Sequence, residues 1–164
     1  MSTQVATQIN SYLSFKLGEE IFASNVAKVL NILEMTKITR VPRAPDYMKG
    51  VINLRGEVLP LVDTRVKFGL EVTGLTTNTC ILVLDLELGG EPVKVGALVD
   101  AVQEVLEIEE DELQPPPSIG DKYRSEFISG MYQVNDNFIM ILDMEKIFST
   151  DELTELKNST ESTK

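Results

Sequence analysis

Two aspartates stand in matching positions after apolar segments, and paired carboxylates are the residues of this sequence best suited to chemistry. Asp63 follows "VLPLV" and Asp143 follows "FIMIL". Aspartic proteases bring together one such aspartate from each of two similar lobes, and the two carboxyl groups share a proton. Their loop needs a small residue and then glycine after the aspartate, whereas "DTR" and "DME" carry bulky or charged side chains. An aspartic-protease-like enzyme using Asp63 and Asp143 is therefore a remote alternative, and both residues are expected to cap short helical turns.

The composition removes most other catalytic and metal-binding sites. The chain has no histidine and one cysteine, so it lacks the commonest general base and cannot build a zinc site from Cys and His ligands. It contains no phosphate-binding glycine loop and no recognisable nucleophile motif. Cys80, inside "TCILVL", is interpreted as a small buried residue of a strand. We therefore expect no catalytic residue, no metal and no cofactor.

The chain is strongly acidic, and its charge is unevenly placed. A formal net charge of −11 argues against nucleic acid or an anionic membrane as a partner. Residues 37–67 hold seven basic and three acidic side chains, whereas residues 85–113 hold ten acidic side chains against Lys94 alone. The acidic segment is either a solvated face or one pole of a molecule that orients between partners.

The sequence predicts a cytoplasmic protein with no direct membrane insertion. The segment "MSTQVATQIN" lacks the basic flank and the apolar stretch of a signal peptide. No apolar run approaches the length that spans a bilayer.

Strand signals recur along the chain, and helical periodicity is scarce. Strands are predicted near 11–17, 20–24, 28–34, 50–55, 57–63, 79–87, 92–99, 101–107, 127–134 and 137–142. Residues 149–164 are predicted to form a short amphipathic helix and a frayed tail, because Ser149 and Glu152 have the spacing of a capping box. The pattern predicts an all-β fold with few helices.

An internal repeat indicates that the strands form two similar units. "GVINLRGEVLPLVDTRVKF" (50–68) aligns without gaps on "GMYQVNDNFIMILDMEKIF" (130–148), and "FASNVAKVLNI" (22–32) aligns on "VGALVDAVQEV" (95–105). The repeated order predicts two β-barrels of about five strands each. Since "VLPLV" and "FIMIL" are apolar at every position, each strand is expected to face its own core on one side and a shared middle layer on the other. Pro60 fits an edge strand or a bulge.

A hairpin tip in the first repeat carries Arg55 beside Gly56. Arginine offers several hydrogen-bond donors and is enriched at the centres of interfaces. Arg55 is either a solvated hairpin residue or a recognition element for a partner.

The chain resembles the CheW-type chemotaxis coupling proteins of bacteria. The resemblance runs from about Ser11 to Phe148, and "KGVINLRGEVLPLVDTRVKFG" is its most specific segment. "YLSFKLGEEIFASNVAKVLNI", "ILVLDL", "VGALVDAVQEVLEI", "FISGMY" and "IMILDMEKIF" occur around it in the family's order. The resemblance implies one domain, 11–148, of two packed SH3-like five-stranded β-barrels. We expect the first barrel at approximately 15–75 and the second at 79–148, with the N-terminal strand either in the first barrel or shared between the two.

The resemblance also implies a non-catalytic scaffold with two protein partners. Such proteins link the cytoplasmic helical hairpin of chemoreceptors to the regulatory domain of the histidine kinase CheA, and they are recruited to membrane-associated receptor arrays. The implied receptor-binding groove contains Val29, Asn31, Gly50, Asn53, Arg55 and Val102. The implied kinase-binding positions are Val105, Gln114, Ile119 and Gly130.

Three positions depart from the family's pattern. Asn31 stands where an acidic residue is common, Gln114 where a basic residue is common, and Ile119 where an aromatic residue is common. These departures affect partner surfaces, so they leave open which partners are bound. A coupler of a non-flagellar chemosensory system, such as a pilus-type one, is the alternative function.

Overall fold

The computed structural model describes residues 9–70, 74–116 and 127–148, and most of their regular structure is β-strand. The described strands are β1 (Ile9–Leu17), β2 (Glu20–Asn25), β3 (Val29–Glu34), β4 (Met48–Leu54), β5 (Glu57–Asp63), β6 (Cys80–Leu88), β7 (Glu91–Val99), β8 (Ala101–Glu109), β9 (Ile128–Val134) and β10 (Asn137–Leu142). The short helices α1 (Thr64–Lys67) and α2 (Met144–Phe148) follow β5 and β10. Every predicted strand overlaps one of these elements. The predicted helix and tail at 149–164 lie outside the described residues.

The strands form two five-stranded sheets, in the orders β3-β6-β7-β5-β4 and β8-β1-β2-β10-β9. The first sheet is built from one continuous stretch, 29–99, and we call it the inserted barrel. The second combines β1 and β2 with the C-terminal strands, and we call it the discontinuous barrel. Within the described residues the chain passes between the barrels at the 3₁₀ turn Val26–Lys28 and at Asp100.

The barrels therefore do not follow the predicted division of about 15–75 and 79–148. The N-terminal strands β1 and β2 pair with β8 and β10, whereas β6 and β7 complete the sheet of β3, β4 and β5. Each half of the chain gives its first two strands to the barrel of the other half. The hydrophobic pattern of a strand does not name its partner, because either sheet can bury the same apolar face.

The predicted internal repeat is confirmed by the strand pairing. Leu61 pairs with Gly96 in the parallel β5–β7 ladder, and the corresponding Ile141 pairs with Ala23 in the parallel β10–β2 ladder. The backbone N–H of Asp63 donates to the carbonyl of Tyr47 at 2.7 Å. Eighty residues later, the N–H of Asp143 donates to the carbonyl of Phe127 at 2.8 Å.

The described residues form three hydrophobic cores, one inside each barrel and one between them. The inserted barrel buries Ile52, Leu59, Leu61, Ile81, Val83 and Leu98, and the discontinuous barrel buries Tyr12, Ala23, Ile108, Ile139 and Ile141. The core between them, the middle core, has sixteen buried residues, including Phe15, Val62, Leu142 and Phe148. Since the middle core is larger than either barrel core, the barrels depend on each other for burial.

The apolar strand β5 faces both kinds of core, as predicted. Leu59 and Leu61 point into the inserted barrel, and Val62 packs in the middle core. Pro60 lies in a strand between two neighbours rather than at a sheet edge. The ladder between β5 and β7 begins only at Leu61, one residue after Pro60. The missing N–H of Pro60 therefore costs this ladder no hydrogen bond. These observations confirm the predicted fold class of two packed five-stranded barrels with short helical turns.

Candidate functional site: the groove between the barrels

A groove of about 360 Å³ opens where the two barrels meet. Its lining is apolar apart from one residue and consists of Leu13, Val26, Val29, Leu30, Asn31, Ile32 and Val105. Both barrels contribute, because β3 belongs to the inserted barrel, and β1 and β8 belong to the discontinuous barrel. Leu30, Ile32 and Val105 remain 46%, 50% and 56% exposed. Exposed apolar side chains gathered in one concave surface are typical of a protein-binding site.

Two edge strands form the walls of this groove. β3 and β8 are the outermost strands of their sheets, and each ladder to its neighbour is interrupted by a bulge. In β8 the bulge is fixed by Ser14, whose hydroxyl donates to the carbonyl of Glu104 at 2.8 Å and accepts from its N–H at 3.1 Å. Bulges disfavour the pairing of an edge with a further strand. The groove is therefore better suited to binding through side chains than through backbone ladders.

The structure brings only part of the predicted receptor-binding set into the groove. Val29 and Asn31 line it. Val102 is half-buried and packs against the middle core. Gly50, Asn53 and Arg55 are not among the lining residues.

Each of these last three residues has a local structural setting in the hairpin of β4 and β5. Gly50 is buried with a φ of 147°, and a Cβ there would collide with the carbonyl oxygen of Thr39. The side chain of Asn53 accepts the N–H of Gly56 at 2.7 Å across the turn. Arg55 is exposed at the tip with a φ of 52°, and Gly56 follows with a φ of 87°. Positive φ at both central residues is the geometry of a type I′ turn, which matches the twist of a hairpin.

The predicted kinase-binding residues separate into two places. Val105 lies in the groove beside Val29 and Asn31. Gln114 pairs with Met131 through two backbone hydrogen bonds of 2.8 Å, and this segment covers Gly130, which is buried. Ile119 lies outside the described residues. Of Gln114 and Gly130, only Gln114 is exposed enough to contact a partner through its side chain.

Sequence reasoning missed four residues of the groove lining. Leu13, Val26, Leu30 and Ile32 line it beside the predicted Val29. The signal lay in "VLNIL", where apolar residues occupy both faces of a short strand, as they do in "VLPLV". The same argument that predicted a second covered face for β5 predicts a second contact surface for β3.

The two aspartates cap helices, as predicted. Asp63 is buried, and its oxygens accept three hydrogen bonds of 3.0 Å, from the backbone N–H, Nε and Nη2 of Arg65. Asp143 accepts the backbone N–H of Lys146 at 3.1 Å in α2. The carboxylate of Asp63 is therefore paired with the buried cation of Arg65.

A buried ion network surrounds the crossing at Asp100, and we call it the buried clamp. Nη1 of Arg65 lies 3.0 Å from Oδ1 of Asp100, and Oδ2 of Asp100 accepts the N–H of Gly18 at 2.6 Å. Hydrogen bonding to Asp63 raises the pKa of Arg65, and both aspartates add to that effect through their charges. The network joins α1 of the inserted barrel to the turn after β1 of the discontinuous barrel.

A second ion pair lies at the other crossing, and we call it the exposed clamp. Nζ of Lys28 is 2.9 Å from Oε2 of Glu145, which also accepts the N–H of Glu87 at 2.8 Å. The hydrogen bond from Glu87 and the charge and hydrogen bond of Lys28 lower the pKa of Glu145. This pair joins α2 of the discontinuous barrel to β6 and to the Val26–Lys28 turn, whose first residue lines the groove.

In residues 9–70, 74–116 and 127–148, no three metal-ligating side chains of His, Cys, Asp or Glu come close enough to hold an ion. None of the helices there has the length and apolar character needed to cross a membrane.

The fold is a double barrel with an apolar groove between its halves. Residues 11–152 match the model of the CheW-like domain family. The chain is 33% identical to the chemotaxis protein CheW of Klebsiella aerogenes, covering 90% of this chain and 86% of that one. It is 31% identical to CheW of Thermotoga maritima, covering 82% and 85%.

A solved structure gives the same answer for the fold. The crystal structure of the scaffolding protein TtCheW from Thermoanaerobacter tengcongensis superposes with a TM-score of 0.77 at 28% identity, covering 88% of this chain and 96% of that one. The chain therefore belongs to the CheW-like family, and its two barrels are SH3-like. It is a chemotaxis coupling scaffold, as predicted from the resemblance.

Proposed function

We propose that the groove holds the cytoplasmic helical hairpin of a chemoreceptor, and that this contact couples the receptor to a CheA-type histidine kinase. The observation that carries the proposal is the concentration of Leu30, Ile32 and Val105 in one concave surface, each about half exposed. An amphipathic helix that binds a groove inserts apolar side chains spaced three or four residues apart. Asn31, at the same surface, supplies a polar contact that fixes the register of such a helix.

The experiment replaces one apolar side chain on each wall of the groove. Ile32→Glu and Val105→Glu place a charge where an apolar helix would bind, so each is expected to weaken receptor binding about tenfold or more. Both side chains are half exposed, so the thermal midpoint is expected to stay close to that of the wild type. Titration of a receptor cytoplasmic fragment with the purified variants measures the loss.

Val58→Glu is the matched control for these variants. Val58 is 63% exposed on β5 and does not line the groove. Its variant is expected to bind the receptor fragment as the wild type does. Wild-type affinity in both groove variants, or equal losses in all three, would refute the assignment of the groove.

We also propose that Arg55 contacts the receptor from the hairpin tip, outside the groove lining. The side chain is exposed on a rigid type I′ turn, and arginine is well suited to pairing with polar groups on a helix. Arg55→Glu is expected to leave thermal stability unchanged and to weaken receptor capture in a pull-down. Arg40→Glu, an exposed basic residue of the neighbouring loop, is the control for a loss caused by charge alone. Equal capture by Arg55→Glu and the wild type would contradict the proposal.

The kinase is proposed to bind away from the groove, at the outer edge of the discontinuous barrel. The exposed Gln114 lies there, on the segment bridged to Met131. Ile119 and the buried Gly130, which lies beneath that segment, belong to the same predicted set. Val105, its fourth member, lines the groove instead. The kinase whose regulatory domain the purified protein binds would identify the pathway and would distinguish a flagellar from a non-flagellar system.

The protein is further proposed to act without catalysis and to be recruited from the cytoplasm to membrane-associated receptor arrays. Family membership and the engagement of Asp63 by Arg65 support the first statement. The predicted receptor partner supports the second.

A further inference from the structure

An ion pair holds each of the two crossings between the barrels. Lys28 ends the first crossing and pairs with Glu145 at 2.9 Å. Asp100 is the second crossing and pairs with Arg65 at 3.0 Å. Besides the middle core, charged contacts therefore link the barrels at the points where the chain passes from one to the other.

The two clamps lie at similar places in the repeat with the charges exchanged, although Lys28 aligns with Ala101, one residue after Asp100. The gapless repeat that aligns Asp63 with Asp143 also aligns Arg65 with Glu145. In both clamps the carboxylate also accepts a backbone N–H. Asp100 accepts that of Gly18, in the turn after β1, and Glu145 accepts that of Glu87, near the end of β6. In the buried clamp the base lies on the helix and the acid at the crossing, whereas the exposed clamp reverses them.

The two clamps differ in burial. Arg65 and Asp100 are 1% and 19% exposed, and Arg65 also binds the fully buried Asp63, whereas Lys28 and Glu145 are 38% and 29% exposed. A buried pair with saturated hydrogen bonding is hard to separate, because separation leaves an uncompensated charge. A solvent-exposed pair contributes little and is screened by salt. One crossing is therefore firmly held, and the other is held by a contact that is easily broken.

The weaker clamp adjoins the groove. Lys28 lies between Val26 and Val29, and both of these valines line the groove. Movement of the Val26–Lys28 turn would shift one end of the groove, while Arg65 keeps the crossing at Asp100 in place.

We propose that Lys28 and Glu145 are positioning residues that set the width of the groove, with the buried clamp as the pivot. When the pair is intact, the turn is held against α2 and the groove is narrow. When the pair is broken, the barrels rotate about the crossing at Asp100 and the groove widens. The change in groove width depends on the two barrels alone, whereas any effect of that change on receptor binding rests on the proposed function.

The first experiment measures the distance between the barrels directly. Spin labels are attached to Glu34→Cys on β3 and Glu107→Cys on β8, two exposed and equivalent positions, in a Cys80→Ala background. Lys28→Met and Glu145→Gln are expected to lengthen and broaden the distance distribution relative to the wild type. Lys28→Arg, which keeps the charge, is expected to restore it. Raising the salt concentration of the wild type to about 1 M, where the screening length falls to about 3 Å, is expected to shift it towards the Lys28→Met distribution.

Lys94→Met is the matched control for loss of an exposed ion pair. Lys94 pairs with Glu57 at 3.6 Å, and both residues lie on the inserted barrel away from the crossings. Its distance distribution is expected to match the wild type. An unchanged distribution in Lys28→Met, or an equal change in Lys94→Met, would overturn the proposal.

The second readout separates this proposal from the proposed function. Affinity for the receptor cytoplasmic fragment is expected to fall about two- to fivefold in Lys28→Met, as loss of an exposed pair allows, and to recover in Lys28→Arg. If the wild type does not bind the fragment, the proposed function is refuted. The distance measurement then still shows whether Lys28 and Glu145 set the width of the groove. If binding is intact but the distances do not change, the clamp is refuted and the proposed function stands.

Discussion

At the scale of single residues, equivalent positions of the repeat carry different structural constraints. Gly50 and Gly130 align in the repeat, and each lies beneath a chain segment bridged to the following residue. At Gly50 the covering segment is so close that a Cβ would collide with the carbonyl oxygen of Thr39. At Gly130 the nearest atom to a Cβ would be a side-chain carbon of Leu113 at 3.4 Å, which is ordinary contact. Glycine is therefore obligatory at the first position and replaceable at the second.

Alanine substitution tests this difference in one protein. Gly50→Ala is expected to lower the free energy of unfolding by more than about 2 kcal/mol, because the backbone must move and φ is unfavourable for a side chain. Gly130→Ala is expected to change it by less than about 1 kcal/mol. Urea denaturation followed by circular dichroism measures both values. Similar losses in the two variants would show that the covering segments are equally close.

At the scale of elements, the helix α1 is held by charges rather than by its own length. It spans four residues, Thr64–Lys67, which is too short to be stable alone. Asp63 caps its first turn, Arg65 binds Asp63 and Asp100, and the hydroxyl of Thr64 donates to the carbonyl of Leu98 at 2.6 Å. The element is stable because each polar group at its start has a buried partner.

Removing Arg65 tests the contribution of this network. Arg65→Met leaves the carboxylate of Asp63 buried without its main cation, so we expect a loss of about 3–5 kcal/mol in the free energy of unfolding. Chemical denaturation at pH 7 measures this loss. Lys94→Met, which breaks an exposed pair, is expected to lose less than about 1 kcal/mol; a loss as large as that of Arg65→Met would contradict the argument from burial.

At the scale of the whole molecule, the middle core makes the two barrels a single folding unit. The inserted barrel has a closed set of strands and its own core, yet it presents Leu82, Leu84 and Val95 to the other barrel. Removing the other barrel would expose this apolar face to water, and apolar patches of that kind drive association. The groove is a consequence of the same arrangement, because it forms at the margin of the surface where the barrels meet.

A fragment containing residues 29–99 tests this dependence. We expect it to self-associate and to bind a hydrophobic dye, because its middle-core face is uncovered. The same fragment with Leu82, Leu84 and Leu86 replaced by lysine removes that face and is expected to be monomeric. Size-exclusion chromatography with light scattering measures both states. A monomeric wild-type fragment without dye binding would show that the barrel folds independently.

The sequence predicted much of this architecture, and its failures have a common cause. The strands, the repeat, the caps at Asp63 and Asp143 and the middle layer follow from local patterns of polarity and turn residues. The exchange of strands between halves does not, because pairing over long sequence separations leaves no local signal. The same limit applies to Val105, which lies three residues after Val102 in β8. Val105 lines the groove because β8 is the edge strand of its sheet and lies opposite β3. For Arg55, the local turn could be predicted from Arg-Gly, but the position of its side chain outside the groove lining could not.

The insertion of one barrel into the other also sets the order in which they can be completed during synthesis. β1 and β2 leave the ribosome before the other strands, but β8, the partner of β1, begins only at Ala101, after residues 26–100 have been made. β10, the other partner of β2, follows later still. At about 5–20 residues per second, this hairpin waits roughly 4 to 15 seconds with its apolar faces uncovered. The inserted barrel has all its strands by residue 99 and can close during that interval. We expect the nascent N-terminal hairpin to be the part of the chain that most needs a chaperone.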